Sequence, residues 1–199
     1  MRDELAAKPL DRAVLGGFAE LARSADGPVV DVGCGPGRVT AHLDTLGLPV
    51  FGMDLSPEMV AEARRRHPTL RFDEGSMLAL EYEDGSLGEI VAWYSIIHVP
   101  DEHLPAVFAE FRRVLTAGGF LQLAFQTGEG IKHRTEAAGH AISLDFHRRR
   151  PERVAELLER AGLSVRARLL REPDEEGDFP EETPQGFLLA RKPLGDRGA

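Results

Sequence analysis

Short apolar runs alternate with amphipathic stretches along the whole chain, and this alternation predicts a sheet covered by helices. Several runs are rich in β-branched and aromatic residues, as expected of buried strands. The stretches between them have apolar positions three and four residues apart, which is typical of helices. The predicted strands are 29–32, 50–54, 70–72, 90–97, 120–125, 163–170 and 186–190. The predicted helices are 5–23, 37–46, 56–67, 103–115 and 151–161.

The first strand ends in a turn with glycines at alternate positions. After Asp31 inside the strand come Gly33, Gly35 and Gly37, with Pro36 between the last two. Glycine accepts a positive φ and lets a ligand approach the backbone closely. Proline suits the first turn of the helix that follows, where free N–H groups point outward. Strand, turn and helix therefore predict the first half of a nucleotide-binding βαβ unit.

This turn resembles motif I of the class I S-adenosylmethionine-dependent methyltransferases, which has the form D-x-G-x-G-x-G. Asp31, Gly33, Gly35 and Gly37 match it position for position. The resemblance implies that these residues contact S-adenosylmethionine, with Cys34 as a small filler in the loop. The dinucleotide fingerprint G-x-G-x-x-G would need a third glycine at a place where this chain has none.

The resemblance extends over about residues 10–192. It implies a Rossmann-like α/β fold, with a seven-stranded, mostly parallel sheet, helices on both faces and one antiparallel edge strand. We expect a single domain over 1–199, with an N-terminal helix within 1–25. Relatives usually carry a further N-terminal segment that closes over the cofactor, and we expect it to be reduced or replaced here. The matching motifs lie at 31–37, 54–59, 93–100 and 116–119.

A second acid follows the second strand. Asp54 lies close to the ~20-residue offset at which a carboxylate meets the ribose hydroxyls in βαβ nucleotide sites. A carboxylate accepts hydrogen bonds from both hydroxyls of one ribose. Ser56 is the better candidate for the N-cap of the next helix. The segment also matches the family's D-x-S-x-x-M, which implies that Leu55 and Met59 lie near the adenine.

The turn after the third strand departs from the family pattern. Relatives have G-D-A there, with the acid on the adenine amino group, whereas this chain has Gly75, Ser76 and Met77. A hydroxyl accepts a hydrogen bond more weakly than a carboxylate does. We therefore expect the backbone near Ser76 and Met77 to hold the adenine.

The most apolar run, 90–97, leads directly into His98. Because ligands of open α/β sheets bind at the carboxyl ends of the strands, we expect Tyr94, Ser95 and His98 at the floor of the reaction site. The resemblance places this strand end over the methionine half of the cofactor. Histidine suits proton removal at neutral pH, so His98 is the candidate base for a hydroxyl acceptor. The alternative is that it caps the turn or shapes the pocket.

Two segments late in the chain differ in composition from the rest. Residues 129–147 have few large apolar groups and include His140, a weaker candidate for substrate contact. The resemblance implies a substrate-lid insertion here. Residues 172–182 are rich in carboxylates and are expected to form a mobile loop. The basic run 148–150 lies at a helix boundary and is interpreted as a solvated face.

Charge and cysteine content narrow the possible partners and location. The net charge of -9 argues against a nucleic-acid partner, which needs a basic surface. No apolar run is long enough to cross a membrane, so we expect no membrane partner. The single cysteine excludes an internal disulfide and fits the cytoplasm. We expect a small-molecule acceptor, and the sequence leaves the oligomeric state open.

No metal ion is expected. His98, His133, His140 and Asp145 could in principle converge, but no pair has the tight spacing of known metal sites.

The expected activity is methyl transfer from S-adenosylmethionine to an oxygen or nitrogen nucleophile by in-line displacement. Most of the catalysis would come from holding the nucleophile against the methyl carbon. Two alternatives stay open: a non-catalytic S-adenosylmethionine-binding protein and, with less support, an NAD-dependent oxidoreductase.

Overall fold

A seven-stranded sheet forms the centre of the computed structural model, which describes residues 4–23, 27–137 and 140–195. The strands of the chain are β1 (Val29–Val32), β2 (Val50–Asp54), β3 (Phe72–Glu74), β4 (Glu89–Trp93), β5 (Phe120–Gln126), β6 (Ile131–Ala137), β7 (His140–His147), β8 (Ser164–Arg171) and β9 (Gln185–Arg191). The helices are α1 (Glu4–Ala7), α2 (Pro9–Ala22), α3 (Arg38–Thr45), α4 (Pro57–Arg66), α5 (Leu104–Val114) and α6 (Pro151–Arg160).

The strand order in the large sheet is β3-β2-β1-β4-β5-β9-β8. Neighbours from β3 to β5 pair in parallel, and β9 runs antiparallel to both β5 and β8. The predicted Rossmann-like sheet of seven mostly parallel strands is confirmed. Its antiparallel strand, β9, lies toward one edge, beside the edge strand β8. The order reverses between β1 and β4, so the carboxyl ends of these two strands flank the crevice where ligands bind in such folds.

Successive residues of one strand belong to different cores because side chains alternate across a strand. Val30 of β1 packs in the core that contains α5 and α6. Val29 packs with α2 and α3 on the opposite face. Buried phenylalanines of α5, Phe108 and Phe111, fill the first core and the α2 residue Phe18 fills the second. The predicted helices on both faces are confirmed.

Three element boundaries differ from those predicted. The N-terminal helix is interrupted at Lys8, because Pro9 has no N–H for the previous turn and begins a new helix instead. The third strand lies at 72–74 rather than 70–72, where it pairs with β2. The fourth strand ends at Trp93, because Tyr94 adopts a φ of 53° and turns the chain.

The insertion after β5 is a β-hairpin with its own two-stranded sheet, β6 paired with β7. It packs beside the 3-10 turn Ile96–His98 that follows β4. The hairpin therefore stands over the carboxyl end of the central strand.

The raised pKa of Glu89, at the start of β4, leads to a testable prediction about how stability depends on pH. Its buried carboxylate accepts a hydrogen bond from Phe120 N, and burial raises its pKa to about 7. The folded state then binds this proton more tightly than the unfolded state. This contribution to stability is present below pH 4.5 and is lost as the pH rises through about 7.

We expect Glu89→Gln to match the wild type in urea unfolding at pH 5. At pH 8 we expect the variant to be more stable, by on the order of 1 kcal/mol. Exposed Glu156→Gln on α6 is the control and should show no such pH-dependent difference. Equal gains at the two pH values would contradict the prediction.

Candidate functional site

The glycine turn after β1 is fixed to the end of β2. The N–H groups of Gly33 and Cys34 both donate to Met53 O, at 2.7 and 3.0 Å. Gly33 has a φ of 72°, and a Cβ at this position would lie 2.3 Å from Ser95 Cβ. Glycine is therefore required here by both backbone conformation and the close approach of the β4 end.

Asp54 connects the turn to the helix after β2. Its Oδ2 accepts from Gly35 N at 2.8 Å, and its Oδ1 accepts from Ser56 N at 2.9 Å. Each carboxylate oxygen keeps a second lone pair for a ligand hydroxyl. Ser56 is confirmed as the N-cap of α4, since its Oγ accepts from Met59 N at 3.2 Å.

Open space lies beside the middle glycine of the turn. Gly35 has a φ of 54°, and a Cβ there would meet no atom within 4 Å. Gly37, by contrast, packs on the rings of Phe72 and His67. The turn thus offers bare backbone on one side and is supported by side chains on the other.

Asp31 and Cys34 lie beneath this turn. Thr40 Oγ1 donates to Asp31 Oδ2 at 2.7 Å, which joins β1 to α3. Burial raises the pKa of Asp31 to about 7. Burial also raises the pKa of the Cys34 thiol, so it stays a neutral filler.

Apolar side chains are exposed next to Asp54, on the side where the resemblance implies the adenine. Leu55 is 73% exposed and Met59 is 43% exposed. Ser76 Oγ accepts from Leu78 N at 3.2 Å, and Met77 is partly buried against the core. A planar base would cover this apolar surface.

At the end of β4, Ser95 Oγ is buried without a hydrogen-bond partner among the described residues. Tyr94 Oη is also buried, and it lies near the Arg171 guanidinium. Burial raises the pKa of Tyr94, so its hydroxyl stays protonated. Because buried polar groups in proteins almost always have a partner, an orphan such as Ser95 Oγ marks a place that a ligand completes.

His98 has a defined tautomer. Its Nδ1 lies 3.0 Å from the backbone oxygen of Asp145, and its ring contacts Phe146 edge-on at 4.7 Å between centroids. A carbonyl oxygen only accepts, so Nδ1 carries the proton and Nε2 has the free lone pair. The side chain is exposed to solvent on one side, but the atoms packed around the ring desolvate it and lower the pKa of His98, which keeps the ring neutral at pH 7.

Arg149 holds the turn that carries His98. This residue is buried, which corrects the interpretation of run 148–150 as a solvated face. Its guanidinium donates to Ile96 O at 2.9 Å and to Val99 O, and Nε lies 2.8 Å from Asp101 Oδ1. Ile96 O also accepts from Val99 N within the turn, so Arg149 adds a second donor there and reaches the Val99 carbonyl at the end of the turn.

A cavity of about 510 Å³ joins these groups. It extends from Arg38, next to the glycine turn, past Tyr94 and His98 to the hairpin. The sequence missed most of its lining, which is contributed by β5, the hairpin and the segment before β9: Gln126, Lys132, Arg134, Phe146, Arg148, Phe179, Glu182 and Gln185. Only the alternation of Lys132 and Arg134 along β6 could have indicated a lined face. The side chain of His140 lies outside the described residues.

Buried cations anchor the acidic segment 172–182. Arg171 binds Glu181 through two hydrogen bonds of 2.7 and 2.8 Å, and Lys8 Nζ lies 2.7 Å from Asp174 Oδ2. Glu4 of α1 pairs with Arg38 at 2.7 Å. These contacts bring the N-terminal helices and the acidic segment to the same cavity; the mobility of the segment stays a prediction.

Neither a metal site nor a membrane span is found in the described part of the chain. No group of three or more histidine, cysteine or acidic side chains there could hold a metal ion. His133 instead pairs with Asp145 at 2.7 Å. Of the described helices, none is both long and apolar enough to span a membrane.

Comparison with known proteins gives a consistent family. A family model described as a methyltransferase domain matches residues 29–119. The chain is 36% identical over 92 residues to a demethylmenaquinone methyltransferase of Chlorobaculum parvum, covering 46% of this chain and 37% of that protein. It is 28% identical over 116 residues to a malonyl-[acyl-carrier protein] O-methyltransferase of Erwinia billingiae, covering 58% and 45%. The chain thus spans less than half the length of either relative.

A crystal structure of a SAM-dependent methyltransferase from Methanosarcina mazei has the same fold. Its TM-score is 0.74 at 20% identity, covering 86% of this chain and 94% of that chain. Residues 29–119 thus match a methyltransferase domain, and the chain has the fold of a class I S-adenosylmethionine-dependent methyltransferase.

Proposed function

We propose that this chain transfers the methyl group of S-adenosylmethionine to an oxygen or nitrogen nucleophile of a small molecule. The observation that carries the proposal is that the cavity adjoins the glycine turn, since Arg38 directly follows Gly37 and lines the cavity. Open backbone at Gly35 lies next to Asp54, and the 510 Å³ cavity begins beside the same turn, at Arg38. A donor and an acceptor bound in these spaces would be neighbours.

The residues present fit the donor. Gly35 leaves the room that a ligand needs, Asp54 keeps lone pairs for two ribose hydroxyls, and Leu55 offers an exposed apolar surface for the base. Ser95 Oγ lacks a partner, which the methionine half would supply. The proposed donor-binding residues are Asp31, Gly33, Cys34, Gly35, Gly37, Asp54, Leu55, Met59, Ser76, Met77, Tyr94 and Ser95.

The protein's own groups position the acceptor and remove its proton. When bound, S-adenosylmethionine supplies a methyl group whose carbon an acceptor nucleophile attacks in line, with the cationic sulfur as the leaving group. The cavity holds the nucleophile against that carbon, and orientation accounts for most of the rate. For a hydroxyl acceptor, Nε2 of His98 takes the proton, because Nδ1 is already committed to Asp145 O. A carboxylate acceptor would need no base.

A small acceptor agrees with the size and charge of the site. A cavity of this volume is in the range of small-molecule pockets. The net charge of -9 disfavours nucleic acid. The two curated relatives are named for demethylmenaquinone and malonyl-[acyl-carrier protein], neither of which is a nucleic acid.

Gly35→Ala tests the donor site. The added Cβ enters the open space and meets no protein atom, so we expect a loss of only about 1–2 kcal/mol in stability, from the positive φ. The affinity for S-adenosylhomocysteine should fall at least ~10-fold, because the methyl group occupies the ligand's place. Calorimetry measures the affinity and urea unfolding the stability.

Gly47→Ala is the matched control, since Gly47 has a φ of 84°, its Cβ also meets no atom within 4 Å, and it lies at the opposite end of β2 from Asp54. It should keep full affinity. Unchanged affinity in Gly35→Ala would remove the turn from the site. Tighter binding of NAD than of S-adenosylhomocysteine by the wild type would overturn the proposed function in favour of an oxidoreductase.

His98→Asn tests the base. With a hydroxyl acceptor we expect kcat to fall roughly 100-fold or more, as is typical of losing a general base. Because burial lowers the pKa of His98 below 6.5, the wild-type kcat should be level at neutral pH and fall only on acidification below pH 6.5. The variant should lose this acidic limb.

His133 is exposed on the other face of the hairpin, so the control variant His133→Asn should keep both the wild-type kcat and its fall at acidic pH. Proton NMR titration of the histidines gives a second measurement that needs no acceptor. A full rate in His98→Asn with a hydroxyl acceptor would show that His98 only shapes the pocket. Donor binding without turnover on any acceptor would favour a non-catalytic binding protein.

A further inference from the structure

One face of the β6–β7 hairpin concentrates positive charge. Lys132 pairs across the hairpin with Phe146, and Arg134 and Arg148 each lie two residues from one of this pair. Side chains two residues apart share a face, so these four residues form one surface, here called the hairpin face. All four line the cavity.

The carboxylates near the hairpin face do not neutralise it. Glu182 forms ion pairs with two cations of the hairpin face, Lys132 and, at 2.8 Å, Arg148. Glu181 of the cavity lining is bound to Arg171 and Lys8 instead. Among the described ion pairs, the three cations of the hairpin face therefore share one carboxylate, while Asp178 also lines the cavity.

Two donors of the hairpin face lack an anionic partner within the described ranges. The Arg134 guanidinium lies over the Phe146 ring, 5.3 Å from its centroid, and forms no ion pair there. The Nε of Arg148 is buried and has no hydrogen-bond partner. Arg134 is exposed, so the free-energy cost of an unpaired buried donor applies to Arg148 Nε, and a bound anion would recover that cost.

The shape of the site favours a planar monoanion. A guanidinium binds a carboxylate through two parallel hydrogen bonds. The rings of Phe146 and His98 supply an apolar wall beside these donors. Glu182 remains on the same surface and would repel the second charge of a phosphate dianion.

We infer that the hairpin face is a carboxylate-binding subsite and that the acceptor is a small organic acid. This inference rests on the proposed function, which makes the cavity the acceptor pocket. The carboxylate binds Arg134 and Arg148, and the remainder of the acid extends along Phe146 toward His98 and the donor.

The test uses calorimetry on the protein saturated with S-adenosylhomocysteine and two matched pairs of probes. The pairs are 4-hydroxybenzoate with 4-hydroxybenzamide, and lactate with lactamide; each acid is a monoanion, and each pair differs in charge and little in shape. We expect at least one acid to bind on the order of 10-fold more tightly than its amide, the size of one charge-assisted hydrogen bond. Added NaCl should weaken the binding of the acid and leave the binding of the amide unchanged.

Arg134→Gln should remove the preference for the acid. Arg150→Gln is the matched control, since this arginine is exposed, is absent from the cavity lining and lies 3.7 Å from Glu129. It should keep the preference. Circular dichroism and retained binding of S-adenosylhomocysteine confirm that the Arg134→Gln variant is folded.

Equal binding of every acid and its amide, or a preference that survives in Arg134→Gln, would overturn the inference. Tighter binding of phenyl phosphate than of benzoate would also overturn it, by assigning a phosphate site. Each of these results leaves the donor site intact, provided that S-adenosylhomocysteine still binds. Failure of the wild type to bind S-adenosylhomocysteine would instead count against the proposed function.

Discussion

The contact between the glycine turn and the end of β2 is the constraint on which the site depends. Met53 O accepts two N–H groups of the turn, and the Asp54 carboxylate accepts a third from Gly35. The acid proposed to hold the ribose is therefore also the acid that sets the turn's conformation. One group serves both purposes because parallel strands bring their carboxyl ends to the same edge. Donor binding and local folding are coupled at this point.

A second constraint lies one strand away. Tyr94 ends β4 in a positive φ, a conformation that is uncommon for non-glycine residues and clusters at functional sites. The turn that follows sends Ser95 against Gly33 and carries His98 to the hairpin. Buried Arg149 then holds that turn by its carbonyl groups. The position of the proposed base is thus set by a residue about fifty positions later in the chain.

Sequence patterns predicted the parts of this fold whose causes are local. Buried strands and the glycine turn have strong signals in a few adjacent residues, and β1, β2 and β5 lie where they are predicted, within one residue. Strand β6 was missed because its residues, K-H-R-T-E, are polar on both faces and lack the alternation of a half-buried strand. The acidic segment 172–182 gave no sign of its anchors, since Lys8 is more than 160 residues away. Contacts of that kind follow from topology and not from composition.

For the same reason, the net charge of the chain is a poor guide to the local charge of the proposed acceptor site. The chain carries a net charge of -9, yet the hairpin face has three cations to one carboxylate. Many acids of the segment 172–182 lie in solvent, and buried Arg171 and Lys8 hold Glu181. Only Glu182 of that segment pairs with the hairpin face among the described contacts. The proposed donor site is built on the sheet, whereas the proposed acceptor site is built on a hairpin and a loop that can change without disturbing the sheet. Selectivity for the acceptor therefore resides in the segments whose pairing the sequence reveals least.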